Sequence, residues 1–183
     1  ASRGLAAELL APIYAEELDF QRHVQMLDAL AAAAVEPSDR AAFHRSAAEV
    51  YERELDAPEM AFLAAGRALE ADPDGEENLA ACLRTAAAAG DLDEELAAMV
   101  AAALEASRTE AGRIALARAR ARLLDQAGDA AALAAWGRLR ALAPDDAEAL
   151  QALAPLLASS GQVDAQLEAL RSLLAREEEA GRR

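Results

Sequence analysis

An all-α fold is predicted, a solenoid of about five antiparallel helix pairs, and three observations carry the prediction. Of 183 residues, 54 are Ala and 28 are Leu; Ala is the best helix former and β-branched residues are scarce, so a β-rich fold is excluded. Turn residues recur at spacings of about 37, 35, 38 and 33 residues, in the range of helix-pair repeats. Finally, residues 61–90 repeat at 132–161, an offset of 71, with 11 identities in 30 positions. These include Gly66/Gly137, Arg67/Arg138, Pro73/Pro144, Asp74/Asp145, Glu77/Glu148, Leu79/Leu150 and Gly90/Gly161, and only four are Ala on Ala, so low complexity does not produce them.

Each element follows from its punctuation. The turns inside pairs are Leu18-Asp19, Leu55-Asp56-Ala57-Pro58, Gly90-Asp91, Gly128-Asp129 and Gly161-Gln162. The breaks between pairs are Glu36-Pro37-Ser38-Asp39, Asp72-Pro73-Asp74-Gly75, Ser107-Arg108-Thr109-Glu110 and Pro144-Asp145-Asp146, several with a capping residue followed by an acid. One domain over 1–183 is expected, with units of about 1–36, 37–73, 74–107, 108–144 and 145–183, as a whole or as part of a longer array. Pro12 and Pro155 fall inside first helices of pairs, where kinks are expected. Gly66 and Gly137 fall inside second helices, where Gly costs about 1 kcal/mol relative to Ala; both are expected at tight helix-helix contacts.

Composition excludes several function classes. Lys+Arg 18 against Asp+Glu 33 gives a net charge of -15, which opposes nucleic acid as a partner. The longest apolar run, Leu96 to Leu104, is far shorter than the roughly 20 residues that cross a bilayer, so no membrane insertion is expected. A single cysteine, Cys82, forms neither an intramolecular disulfide nor a multi-thiolate zinc cage. With no leader pattern, a cytoplasmic location is expected, although a fragment of an exported protein would read the same. The absence of Lys beside abundant Ala and Arg points to a GC-rich bacterial genome.

The residues resemble the tetratricopeptide repeat family. That pattern has a small residue and an aromatic in helix A, a Gly-Asp turn, a small residue early in helix B, an Ala-Leu pair late in it and a closing Pro. The second unit carries Ala48, Tyr51, Ala61, Ala68-Leu69 and Asp72-Pro73, with one extra residue at the turn. Leu150, Leu153, Ala154, Gly161 and Leu173-Leu174 match in the fifth, and Gly128-Asp129, Trp136 and Pro144 in the fourth. The third keeps Gly90-Asp91 but has Glu95 where a small residue is expected, and the first lacks both turn Gly and closing Pro. The resemblance implies a right-handed superhelical solenoid whose helices A line a concave groove for a peptide or protein partner.

Carried over position by position, that groove comprises Arg45, Glu49, Glu52 and Arg53, then Arg84, then Arg118, Arg122 and Asp125, then Gln151 and Ser159. Arg45, Arg84, Arg118 and Arg122 would concentrate positive charge suited to gripping carboxylates, so an acidic peptide is the expected ligand. The competing reading pairs these arginines with the chain's own carboxylates. The chaperone-binding clamp of the family uses Lys and Asn; this chain has no Lys and only Asn78.

No phosphate-binding loop, HExxH, nucleophile elbow or Cys–His couple occurs, so no catalysis, cofactor or metal is expected. His23 and His44 lie in different helices, Cys82 sits at a core position, and Glu16-Glu17, Glu76-Glu77 and Glu94-Glu95 fall near helix starts or turns. Trp136 either plugs the stack or anchors a partner. Leu5, Leu9, Leu10 and Ile13 in the first helix, and Val163, Leu167, Leu170, Leu173 and Leu174 in the last, leave apolar faces for another surface to cover. The expected function is a non-catalytic protein-interaction scaffold acting through its groove or ends. The alternative is a self-assembling spacer stacking through Leu167, Leu170 and Leu174.

Overall fold

The computed structural model describes residues 2–181, with side chains for residues 4–176. Ten α-helices and no strand occur among the described residues: α1 (Ser2–Glu16), α2 (Phe20–Ala33), α3 (Pro37–Arg53), α4 (Pro58–Ala71), α5 (Glu76–Ala89), α6 (Asp93–Ala106), α7 (Glu110–Gln126), α8 (Ala132–Leu142), α9 (Ala147–Ser159) and α10 (Val163–Gly181). The chain divides into two compact units, residues 1–112 and 113–183, with α7 beginning in the first and continuing in the second. In the first unit α1 packs on α2, α2 on α3, α3 on α4 and α4 on α5; α3 also meets α5, and α4 meets α6. In the second, α8 packs on α9 and α9 on α10.

Helix starts are specified by side chains and prolines. Asp19 accepts the Arg22 N–H at 3.2 Å to cap α2, and Asp146 accepts the Ala149 N–H at 2.9 Å to cap α9. Pro37 and Pro58 open α3 and α4, where a missing N–H leaves no bond unmade. Thr109 Oγ accepts the Gly112 N–H at 3.0 Å at the start of α7. Helices α1 and α9 run on through Pro12 and Pro155.

The turns within pairs reverse the chain through left-handed backbone. Gly128 (φ 66) and Gly161 (φ 73) sit between Asp129 N–H to Leu124 carbonyl (2.9 Å) and Gln162 N–H to Leu157 carbonyl (3.0 Å) bonds. These six-to-one bonds satisfy carbonyls at the helix C-terminus. The turn after α1 makes the same closure, Asp19 N–H to Tyr14 carbonyl at 2.9 Å, but with Leu18 at φ 59. An L side chain there costs roughly 1–2 kcal/mol. Asp56 (φ 47) does the corresponding work after α3.

The core is built largely of methyl groups. Of 37 buried apolar residues among those described, 21 are Ala, joined by Phe62, Leu69, Leu104, Leu116, Trp136, Leu139 and Leu150. Ala at the crossings brings backbones toward the short end of the 8–10 Å interaxial range. Trp136 lies in this core at 2% exposure, with its Nε1–H unpartnered, so it plugs the packing of α8 and does not face a partner. Cys82 is fully buried, and burial pushes its thiol up to about 12.

One expectation is corrected. Gly66 does mark a close approach, since a Cβ there would lie 2.8 Å from Met99 Sδ. Gly137, identical in the repeat, has nothing within 4 Å of such a Cβ. Sequence identity preserved the residue, but no large side chain equivalent to Met99 presses on it.

Two stability changes follow. Gly137→Ala should raise unfolding free energy in urea by about 0.5–1 kcal/mol, with Gly66→Ala gaining less because Met99 must move. Leu18→Gly should raise it by up to about 1 kcal/mol through relief of the left-handed turn. Unchanged or lower midpoints for Gly137→Ala and Leu18→Gly would contradict these assignments.

Candidate functional site

Helices α3, α5, α7 and α9 are the first members of their pairs and carry the groove residues expected from the sequence. In the first unit, Arg45 on α3 donates from Nη1 to Asn78 Oδ1 at 2.6 Å and places Nη2 2.8 Å from Glu77 Oε2, both on the first turn of α5. Seven residues further along each helix the polarity reverses: Arg84 on α5 pairs with Glu52 on α3. The two helices are thus cross-linked in one register, 32 residues apart in both pairs.

Asn78 explains why Arg45 can settle there. It is fully buried, accepts from Arg45, and donates from Nδ2 to the Asp72 carbonyl at 2.7 Å. A buried amide with both ends bonded carries little penalty, whereas an unmet one would cost about 1–3 kcal/mol.

The second unit solves the same problem differently. Arg118 on α7 donates to Asp146 Oδ2 at 2.6 Å, while the other oxygen of that carboxylate caps α9. Arg122, one turn on, grips Glu148 through Nε at 2.5 Å and Nη2 at 2.7 Å, a two-pronged pair. Burial by itself would raise the Asp146 carboxyl, but bonds from Arg118 and the Ala149 N–H hold it below the usual range. The bond to Glu148 likewise raises the Arg122 guanidinium. At the repeat offset of 71, Asp146 replaces Gly75 and Ala149 replaces Asn78, so cap and arginine partner are merged in a single carboxylate.

All four arginines expected to form a ligand grip therefore hold carboxylates of the same chain. Glu52 is likewise engaged, and Glu49 and Arg53 pair with each other one turn apart at 3.8 Å. Asp125 and Ser159 line a hollow of about 340 Å3 with Asp129, Leu156 and Ser160. Its polar rim is partly used, since Asp129 accepts the Ala131 N–H at 2.7 Å and Ser159 Oγ donates to the Leu156 carbonyl at 2.8 Å. Gln151 is exposed on α9.

Sequence reasoning missed Asp74 as a structural hub. Its carboxylate accepts from Ser107 Oγ (2.6 Å), the Arg108 N–H (3.0 Å), and the Thr109 Oγ (2.9 Å) and N–H (3.3 Å). This ties the approach to α5 to the approach to α7. Partial burial would raise this carboxyl, but the four bonds together hold it at about 2. The Pro73-Asp74 and Ser107-Arg108-Thr109 breaks were visible separately; nothing local in the sequence joins them.

The two histidines are engaged in local contacts. His23 Nδ1–H donates to the Ala11 carbonyl at 2.8 Å, and His44 lies with Nδ1 3.8 Å from Asp28 Oδ1. Burial lowers the His44 value despite Asp28, so the ring is neutral near pH 7. Among the described residues no group of three His, Cys, Asp or Glu could hold a metal ion. No helix among them is long and apolar enough to cross a membrane.

Large apolar side chains are exposed in each unit. On α1, Leu5, Leu9 and Ile13 recur every fourth residue at 62%, 72% and 45% exposure, whereas Leu10 is half-buried. On α10, Val163, Leu167, Leu170 and Leu174 follow i, i+4, i+7, i+11 spacing at 43–58% exposure. Such stripes are uncommon on helices with no partner.

Two crystal structures of MamA are similar to the chain. One has a TM-score of 0.55 and 13% identity over 95% of this chain and 98% of that one. The other has a TM-score of 0.54 and 12% identity over 98% and 94%. A Podosopora anserina putative kinesin light chain with nearly identical TPR-like repeats gives 0.52 and 18% over 100% and 98%. The likeness places the all-helical fold with tetratricopeptide-like repeat proteins. No family model and no curated protein matches the chain.

The Asp74 hub makes stability pH-dependent. A folded value near 2, below the ordinary 3.8, means the contribution is full above about pH 4 and is lost as pH falls toward 2. Asp74→Asn should lower the urea midpoint at pH 7, by about 1–3 kcal/mol of stability, and show a smaller fall between pH 4 and 2 than the parent. Equal midpoints at pH 7 would contradict the hub.

Proposed function

We propose that the chain is a protein-interaction module that acts by recognition without chemistry, and that its principal contact is the apolar face of α10. The observation that carries this reading is the stripe of Val163, Leu167, Leu170 and Leu174, exposed and in helical register. Burying these side chains against a partner would gain roughly 25 cal/mol per Å2 of apolar surface removed from water. The repeat fold supports the general class, because stacked helix pairs offer extended surfaces for partners.

Arg45 and Arg84 in the first unit, and Arg118 and Arg122 in the second, take second place as ligand contacts. An acidic peptide would have to displace Glu77, Glu52, Asp146 and Glu148, whose bonds are already short and partly shielded from water. Glu49 and Arg53 would then flank the contacts in the first unit, and Asp125 those in the second.

A second reading, self-assembly through apolar faces, is favoured by one further observation: α1 also exposes Leu5, Leu9 and Ile13. Sedimentation of the purified chain over a wide concentration range separates the two. Association that rises with concentration and disappears in Leu170→Glu/Leu174→Glu supports the spacer. A monomer throughout, with a partner captured by the parent chain and lost in the same variant, supports heterologous recognition. Retention of that partner by the variant, with helicity unchanged by circular dichroism, would overturn the α10 assignment.

A further inference from the structure

Helices α4 and α6 enclose a second surface, in the first unit and separate from α10. Leu63, Gly66, Arg67 and Glu70 on α4 face Met99, Ala102, Ala103 and Ala106 on α6, each set spaced i, i+3, i+4, i+7. The space between them is about 390 Å3. Its origin is compositional: Gly66 and three alanines form a low floor, while Leu63 and Met99 stand as walls. Met60, one turn before Leu63, continues the apolar edge at 42% exposure. Met99 rests on Gly66, and an unbranched thioether moves readily to admit a guest.

The charges around this hollow specify the guest. Glu59 and Glu95 lie four residues before Leu63 and Met99, one turn along the same faces, and Glu70 closes the other end. None of the three makes a salt bridge to a described residue. Arg67, the cation at the hollow, is held 3.8 Å from Asp28. The unneutralised charge here is therefore negative, in contrast to Arg45, Arg84, Arg118 and Arg122 on α3, α5 and α7, each of which holds a carboxylate.

We infer that the α4/α6 groove docks an amphipathic helix of a partner protein, seating one or two large apolar side chains in the hollow and placing Lys or Arg against Glu59, Glu70 and Glu95. A helix fits because the walls are themselves parallel helices, so a third lies in the furrow between their ridges. The volume is at the small end of ligand sites and suits side-chain anchors more than an extended cofactor. This site does not depend on the α10 face, and it asks for a basic partner where an arginine groove would ask for an acidic one.

The chain supplies its own reporters, because it has three methionines: Met99 lines the hollow, Met60 lies on α4 one turn before Leu63, and Met26 lies on α2. The full chain, labelled at its methionine methyls, is titrated with a synthetic helical peptide of about four turns bearing Leu at i, i+4 and i+7 and Arg elsewhere. Two control peptides replace Leu by Ser or Arg by Glu. The groove predicts shifts of Met99 and Met60 with Met26 unmoved, no shifts with either control, and at least tenfold weaker binding in Ala102→Trp, which fills the hollow. Leu63→Ser, at an already exposed position, gives the same loss without added bulk. The proposal is overturned by equal binding of the Ser peptide, which marks attraction to charge alone, or by movement of Met26 as large as that of Met99. Parent-like affinity in both variants also overturns it. So do Met99 shifts that grow with protein concentration without peptide, which make a second copy the occupant. Leu170→Glu/Leu174→Glu should bind the peptide normally, so failure here and failure of the α10 reading are distinguishable.

Discussion

The structure depends on close approach of helices across alanine. A buried Ala methyl removes little area from water, so each contact contributes modestly, and stability rests on many near-touching backbones and the dispersion they gain. A methyl-lined surface is also smooth, with few knobs to stop one helix sliding along another. Polar contacts at the helix starts supply that stop. Arg45 with Glu77 and Asn78, Arg84 with Glu52, Asp74 with the turn before α7, and Arg118 with Asp146 each link the start or body of one first helix to the next.

These links engage Arg45, Arg84 and Arg118, three of the 18 arginines of a chain with a net charge of -15. Arg45, Arg84, Arg118 and Arg122 on the first helices are drawn to acids at or on the neighbouring first helix, where partial burial weakens solvent screening. Exposed pairs contribute little individually, roughly 0–1 kcal/mol, but here several share partners with helix caps and a buried amide. The remaining excess of unpaired carboxylate is left on other faces, including the rim of the α4/α6 hollow. The exposed apolar side chains of α1 and α10 and the lining of the α4/α6 hollow are drawn from residues other than those of this polar framework.

Local features were the most legible from sequence. Helix class, turn positions and the buried state of Cys82 follow from propensity, punctuation and periodicity, and even Leu18 and Asp56, without glycine, sit where the turn spacing places a reversal. Long-range pairing was not legible. Arg45 and Glu77 are 32 residues apart, and their meeting depends on the register of α3 against α5, which no local pattern encodes. Gly66 and Gly137 make the same point, because identical residues at repeat-equivalent positions meet Met99 in one case and open space in the other. The α4/α6 hollow escaped notice for a related reason: it arises from what is missing, three alanines and a glycine where larger side chains would fill the furrow.

The most direct test of this account is exchange of one rung, measuring urea stability of Arg84→Glu, Glu52→Arg and the double exchange, together with capture of the physiological partner. If the arginines serve the framework, each single change destabilises the chain by bringing like charges together, the double exchange recovers most of the loss, and the partner is retained. Single changes that leave stability untouched, with the partner lost in the refolded double exchange, would return recognition to the arginine groove.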